Sequence, residues 1–274
     1  MHKYSLSLQN FVVLPFNWYL VYGKLLGTVV SRIKRGDSFP LEHERRVSRT
    51  FERAIMEASS SLTNKERSRP LRVLEVGIGS KCRTIFRGMY DATLNNRLDL
   101  VGLDLIGIDI ELPDITTVNK AKDRLVLSAE KNTISPYPVT FDVISGDLTQ
   151  GVNCPDGFFD VITSSLVLCS VEDQRVAIKE IKRLLKSGGT YGYVEHVAVN
   201  LDNENEKDRF FLEWQQTTLD PLQQRLAHNC HLHRRTDLAI SDEFSGGVLE
   251  DERFFVDDMW PVSCQCCGVV RKFS

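Results

Sequence analysis

Residues Val73 to Lys81 read VLEVGIGSK, and this stretch sets the frame for the rest of the chain. The apolar positions Leu71, Val73 and Leu74 lead into Glu75, then Gly77, Ile78 and Gly79. That order predicts a buried strand, a glycine turn and a helix start. Glycines let the backbone turn with positive φ and approach a ligand closely, and amides at the following helix start face a negative group. Glu75 is unlike a pyrophosphate loop, where its charge would repel the ligand; it suits a ligand that brings a cationic amino group. An empty strand-turn-helix gives the same pattern, so the stretch gains meaning only together with the motifs downstream of it.

The chain has 274 residues, enough for one sizeable α/β unit with additions. Apolar residues make up 42% and charged residues 26%, ordinary values for a globular chain. A net charge of −3 gives no reason to expect a nucleic-acid surface. Seven cysteines form no regular framework, which predicts free thiols in a reducing compartment and a cytoplasmic location.

Residues 11–30 are apolar but interrupted by Pro15, Asn17 and Lys24. Trp18, Tyr19 and Tyr22 suit a membrane interface, and Arg32, Lys34 and Arg35 follow at once, favouring the cytoplasmic face. The run reads equally as contact with an intracellular membrane surface through residues 11–35 or as part of a helical cap. Leu41, Val47, Phe51, Ile55 and Met56 recur near helical spacing and predict a helix over 41–62. The expected organisation is an N-terminal apolar segment and cap over 1–69 and a main domain over 70–274.

Beyond the glycine turn, residues 82–90 predict a helix. RLDLVGLDLIGIDIE (97–111) holds apolar-Gly-apolar-Asp twice, so Asp104 and Asp109 compete as the acidic residue at the end of a second strand, with Glu111 in reserve. Asp109, followed by Ile110, is favoured because a helix comes soon after it. A third strand, 137–148, ends at Asp147 and Leu148, where a turn aspartate capping its own backbone is the plain alternative. Residues 158–163 form an almost purely apolar fourth strand, as a central parallel strand should. Ser164, Ser165 and Leu166 follow where a cofactor loop is expected. A helix ending at Ser187-Gly188-Gly189 leads to a fifth strand, 190–199.

SSLVLCSVEDQ (164–174), YVEHVA (193–198), WQQTTLDPLQQ (214–224) and the Cys230-x-Leu232-x-Arg234 cluster together resemble class I S-adenosylmethionine (SAM) methyltransferases of the type 11 group, above all the small membrane-associated thiol (alkyl) methyltransferases. The likeness runs from Leu71 to the end. It departs at Lys81, which replaces a third glycine, and in extra residues before the second acidic motif. The resemblance implies a Rossmann-like α/β fold: a mostly parallel seven-stranded sheet with an antiparallel closing strand and an N-terminal helical cap. It implies SAM as cofactor, held by Glu75, Gly77, Ile78, Gly79, Asp109, Ile110, Asp147, Leu148, Ser164, Ser165 and Leu166. It also implies a substrate lid inserted over 200–240.

The implied reaction is methyl transfer to a small apolar molecule, a thiol above all, with His196 as the candidate base and Asp220 as a weaker one. A lipid or quinone substrate, or an inactive SAM-fold module that binds a partner, stand as alternatives. His228, Cys230, His231 and His233 invite a metal reading, but their spacing matches no common zinc pattern and none is expected. Residues 210–228 predict a helix broken near Asp220-Pro221. Residues 253–257 and 262–271 predict the closing hairpin, with Cys264 and Cys266 on one face and Cys267 on the other.

Overall fold

The computed structural model describes residues 39–95, 100–131 and 137–273, together with residues 22, 23 and 27. The reading of residues 11–35 as a membrane contact lies almost wholly outside the described residues. Among the described residues, no helix is long and apolar enough to cross a membrane.

Short β-branched and apolar runs form seven strands: β1 (Leu71–Val76), β2 (Leu103–Asp109), β3 (Val139–Ser145), β4 (Phe159–Ser165), β5 (Leu185–His196), β6 (Val248–Phe255) and β7 (Cys264–Arg271). They make one sheet in the order β3-β2-β1-β4-β5-β7-β6. Strands β1 to β5 pair in parallel, and β7 runs antiparallel to both β5 and β6. This is the doubly wound, Rossmann-like class I methyltransferase architecture with its antiparallel closing strand. The strand order reverses between β1 and β4, and the crevice beyond the carboxyl ends at such a point is where ligands bind in open α/β sheets.

Helix α1 (Leu41–Ser60) carries Val47, Phe51, Ala54, Ile55 and Ala58 on one buried stripe, and so lies against the sheet. Thr190 donates to the Ala54 carbonyl at 2.7 Å. Gly192 of β5 permits that approach: a Cβ there would sit 2.8 Å from Ala54 Cβ and 3.2 Å from the Thr50 carbonyl oxygen. Helices α4 (Ile115–Glu130) and α5 (Gln174–Leu184) start at Asp114 and Asp173, whose carboxylates accept from backbone amides of their first turns. The helix expected over 82–90 is two short pieces, α2 (Arg83–Phe86) and α3 (Asp91–Asn95), divided around Gly88 at φ +71°.

Helix α6 (Phe210–Leu226) passes through Pro221 unbroken. The proline leaves the Thr217 carbonyl without its usual amide, but both residues are exposed and water can take the bond. Helix α7 (Thr236–Glu243) comes next. Arg253 of β6 pins both ends of the stretch that contains α6: its guanidinium bonds both Glu206 oxygens (2.5 and 2.9 Å), the Ala198 carbonyl (2.7 Å) and Asp237. Cys264 and Cys266 pack in one core layer and Cys267 in the other, as strand alternation requires.

The close fit at Gly192 makes α1 an integral layer of the fold. Gly192→Val is expected to lower the urea midpoint by a loss of about 1–3 kcal/mol, the usual effect of overpacking. An unchanged midpoint would mean that α1 sits loosely on β5.

Candidate active site

The glycine turn closes the carboxyl end of β1. Gly77 and Gly79 have φ of +75° and +68°. At Gly77 an added Cβ would lie 2.2 Å from Val167 Cγ2, so only glycine lets the loop after β4 close on the turn. At Gly79 an added Cβ would meet nothing within 4 Å, so this turn faces open space. Ile78 beside it is buried against Gly107. Lys81 is exposed, one residue before Cys82.

Asp109 is the last residue of β2, and one carboxylate oxygen accepts the Gly79 amide at 2.8 Å, the other the Glu111 amide at 3.0 Å. Asp104 lies at the other end of β2, where it accepts from Thr140 at 2.8 Å. The geometry therefore brings Asp109, and not Asp104, to the glycine turn. Ile110 next to it is 72% exposed, a large apolar side chain at the rim of the crevice.

Glu75 points into the protein. Its carboxyl accepts from Thr84 (2.5 Å) and Tyr90 (2.9 Å), and Tyr90 is within 3.1 Å of Thr163. Burial raises its pKa to about 7 against those bonds. Asp147 accepts from the amide and hydroxyl of Thr149 (2.8 and 2.7 Å), the self-capping turn, while Leu148 is buried in the core.

Beyond β4 the site is organised by a residue that sequence reasoning passed over. Glu195 of β5 is fully buried. One oxygen accepts from Ser164 (2.8 Å); the other accepts the backbone amides of Val167 (2.9 Å) and Leu168 (3.1 Å). Ser164 also lies 2.8 Å from the Tyr191 hydroxyl, so its side chain belongs to this buried network. Leu166, between them, is held at φ +57°, an uncommon conformation for a branched residue that the surrounding bonds enforce. Burial raises Glu195 to about 8.

Ser165 faces the other way, towards α1. Its hydroxyl is 3.3 Å from His43 Nε2, while His43 Nδ1 is 2.8 Å from Gln265 Oε1 of β7. His43 is completely buried, and burial lowers its pKa to about 4, so it is neutral. The first described helix thus supplies a polar group beside the loop after β4. The isolated histidine in a charged helix gave no sequence signal for this.

His196 ends β5 and is buried, with Nε2 3.1 Å from Cys230 Sγ. Cys169, in the loop after β4, completes a cluster in which the three donor atoms lie within 4.8 Å of one another. Cys230 is favoured as thiolate by the neighbouring Cys169 thiol and by His196. Its sequence neighbours His228, His231 and His233 are not members of this cluster. Asp220 bonds Gln224 (2.6 Å) and the Leu232 amide (2.5 Å), tying the stretch after α6 back to the helix.

The sheet order and the glycine turn give the chain the fold of class I methyltransferases. Residues 88–192 match the family described as a methyltransferase domain. The chain is similar to thiol S-methyltransferase TMT1A of Homo sapiens, 40% identical over 85 residues that cover 31% of this chain and 32% of that one. It is also similar to thiol S-methyltransferase TMT1B of Rattus norvegicus, 37% identical over 81 residues, 30% of each chain. The matched stretch thus spans about a third of the length of these curated relatives. In fold the chain is similar to the DszA carbon methyltransferase, with a TM-score of 0.51 and 17% identity over 89% of this chain and 57% of that one.

Burial of Glu195 has a measurable consequence. Its folded pKa, about 8, lies above the ordinary 4.5, so the folded protein binds the extra proton between those values. The contribution to stability is present below about pH 4.5 and is lost as pH rises through about 8. Glu195→Gln, whose amide can donate to Ser164 while its carbonyl accepts the two loop amides, is expected to flatten the decline in stability from pH 5 to 9. Chemical denaturation across that range measures it, and parallel curves for the two proteins would contradict the assignment.

Proposed function

We propose that this protein is a SAM-dependent methyltransferase whose substrate is a small apolar thiol. The observation that carries the proposal is the meeting of the glycine turn with Asp109 at the strand reversal, in a chain similar over 85 residues to a thiol S-methyltransferase. The residues fit the cofactor. Gly79 faces open space, Asp109 offers a carboxylate for ribose hydroxyls, and exposed Ile110 offers an apolar surface for a base. Asp147, with Leu148 beneath it, would take the adenine amino group by releasing its bonds to Thr149. Glu75, buried and bonded to Thr84 and Tyr90, would serve the cofactor by holding the strand end that carries the turn. The Ser164-Ser165-Leu166 corner shapes the wall next to the methionine portion.

Bound SAM supplies a methyl carbon on a sulfonium. The chain's part is to hold a sulfur nucleophile in line with that carbon and to exclude water. The His196 imidazole, at the carboxyl end of β5, would accept the thiol proton as the sulfur takes the methyl group that bound SAM would supply, giving a methyl thioether and S-adenosylhomocysteine. A free thiol, with pKa about 8.5, needs little help of this kind. Residues 200–240 would form the lid. Phe210, Phe211, Leu222 and Leu226 are exposed on α6 and give it an apolar face suited to such a substrate. The apolar run before Arg32, Lys34 and Arg35 supports a place at the cytoplasmic face of an intracellular membrane.

The test is methyl transfer from labelled SAM to a panel of alkyl and aryl thiols, with quinols and phospholipids in parallel. Thioether formation is expected; methylation of quinols or lipids alone would overturn the thiol assignment. Asp109→Ala is expected to weaken SAM binding by about 1.5–3 kcal/mol, the worth of hydrogen bonds to a charged group. Equal affinity would remove Asp109 from the site. His196→Ala is expected to lower turnover most below the thiol's pKa, and an unchanged pH profile would remove its role as base.

A further inference from the structure

Cys169, His196 and Cys230 come from three separate segments: the loop after β4, the last residue of β5 and the stretch after α6. All three are buried. Their donor atoms lie within 4.8 Å of one another, with His196 Nε2 and Cys230 Sγ 3.1 Å apart. A tetrahedral ion with zinc's bond lengths to sulfur and nitrogen needs donor separations of about 3.6–3.8 Å. The three atoms therefore converge on one point with side-chain adjustments of about an ångström.

The rest of the cluster supports this. His196 Nδ1 is buried without a hydrogen-bond partner among the described residues. Cys230 Sγ is the ring's neighbour on the Nε2 side. A neutral ring that gives its Nε2 lone pair to a cation keeps a single N–H, as metal-bound histidines do. The nearby guanidinium of Arg234 bonds the Leu168 and Val171 carbonyls (2.8 and 2.7 Å). The His231 amide donates to the Cys169 carbonyl at 2.9 Å. These bonds lock the segment carrying Cys230 onto the loop carrying Cys169, so the donor set is preassembled.

We propose that Cys169, His196 and Cys230 form a binding site for a zinc-class divalent ion. Two sulfurs and one imidazole select a thiophilic ion over magnesium or calcium, which take oxygen donors. Three protein ligands leave one position of a tetrahedral ion for water or another sulfur. The ion would staple the α6 insertion to the carboxyl end of the sheet. It also engages the His196 ring that the methyl-transfer scheme uses for a proton. The site itself does not depend on the methyltransferase reading.

The test uses the full chain, reduced with a phosphine and stripped of metal, titrated with Co²⁺ as the spectroscopic probe. One equivalent is expected to give thiolate-to-cobalt charge-transfer absorption and tetrahedral visible bands, both displaced by Zn²⁺. Cys169→Ser and Cys230→Ser are each expected to weaken the metal by at least about tenfold, and Cys154→Ser, outside the cluster, to leave it unchanged. Because a cluster variant can misfold, alkylation mapping on the unmutated protein supplies a second readout: Zn²⁺ should protect Cys169 and Cys230 selectively. Absence of the charge-transfer band, a band undiminished in folded cluster variants, or no selective protection would overturn the proposal. SAM titration of the same metal-free sample reports on the methyltransferase reading separately.

Discussion

The carboxyl of Glu195 is the constraint on which the candidate site rests. It is buried between β4 and β5, where an unpaired polar group is strongly unfavourable. Ser164 and the amides of Val167 and Leu168 satisfy it. Those bonds fix where the chain goes after β4. They hold Leu166 in a left-handed conformation, bring Val167 over Gly77, and set Cys169 opposite Cys230. The glycine turn and the loop after β4 are thus one packed unit: Gly77 has no room for a side chain because Val167 occupies the space.

Around that unit the protein spreads its polar groups over elements far apart in sequence. His43 comes from the helix that precedes the sheet and stands between Ser165 and Gln265 of the closing strand. Arg253 on the edge strand holds Glu206 and Asp237, and so fixes both ends of the stretch containing α6. A change in α1 therefore acts directly on Ser165 at the end of β4, and a change in β6 acts on the stretch containing α6.

The sheet was legible because its signals are local. Apolar runs of strand length, glycine punctuation and the alternation that separates Cys264 and Cys266 from Cys267 all lie within short windows. That Asp109, nearer the following helix, ends the second strand was legible. What the sequence hid is tertiary. The Glu195-His196 pair marked a strand end but did not say that the glutamate turns inward to two amides. Ser164 and Ser165 read as adjacent loop residues; in the strand they face opposite sides, one into the buried network and the other towards His43. The metal reading looked among Cys230's near neighbours, whereas its partners His196 and Cys169 lie on other elements far back in the chain. Pro221 read as a break, yet an exposed helix face accommodates it.

The central claim is that the crevice at the glycine turn binds SAM. Calorimetric titration of the folded full chain with SAM and with S-adenosylhomocysteine tests it most directly. Saturable one-to-one binding of both is expected. Absence of binding by protein whose circular dichroism shows an intact fold would contradict it and leave the chain as a methyltransferase fold without its cofactor.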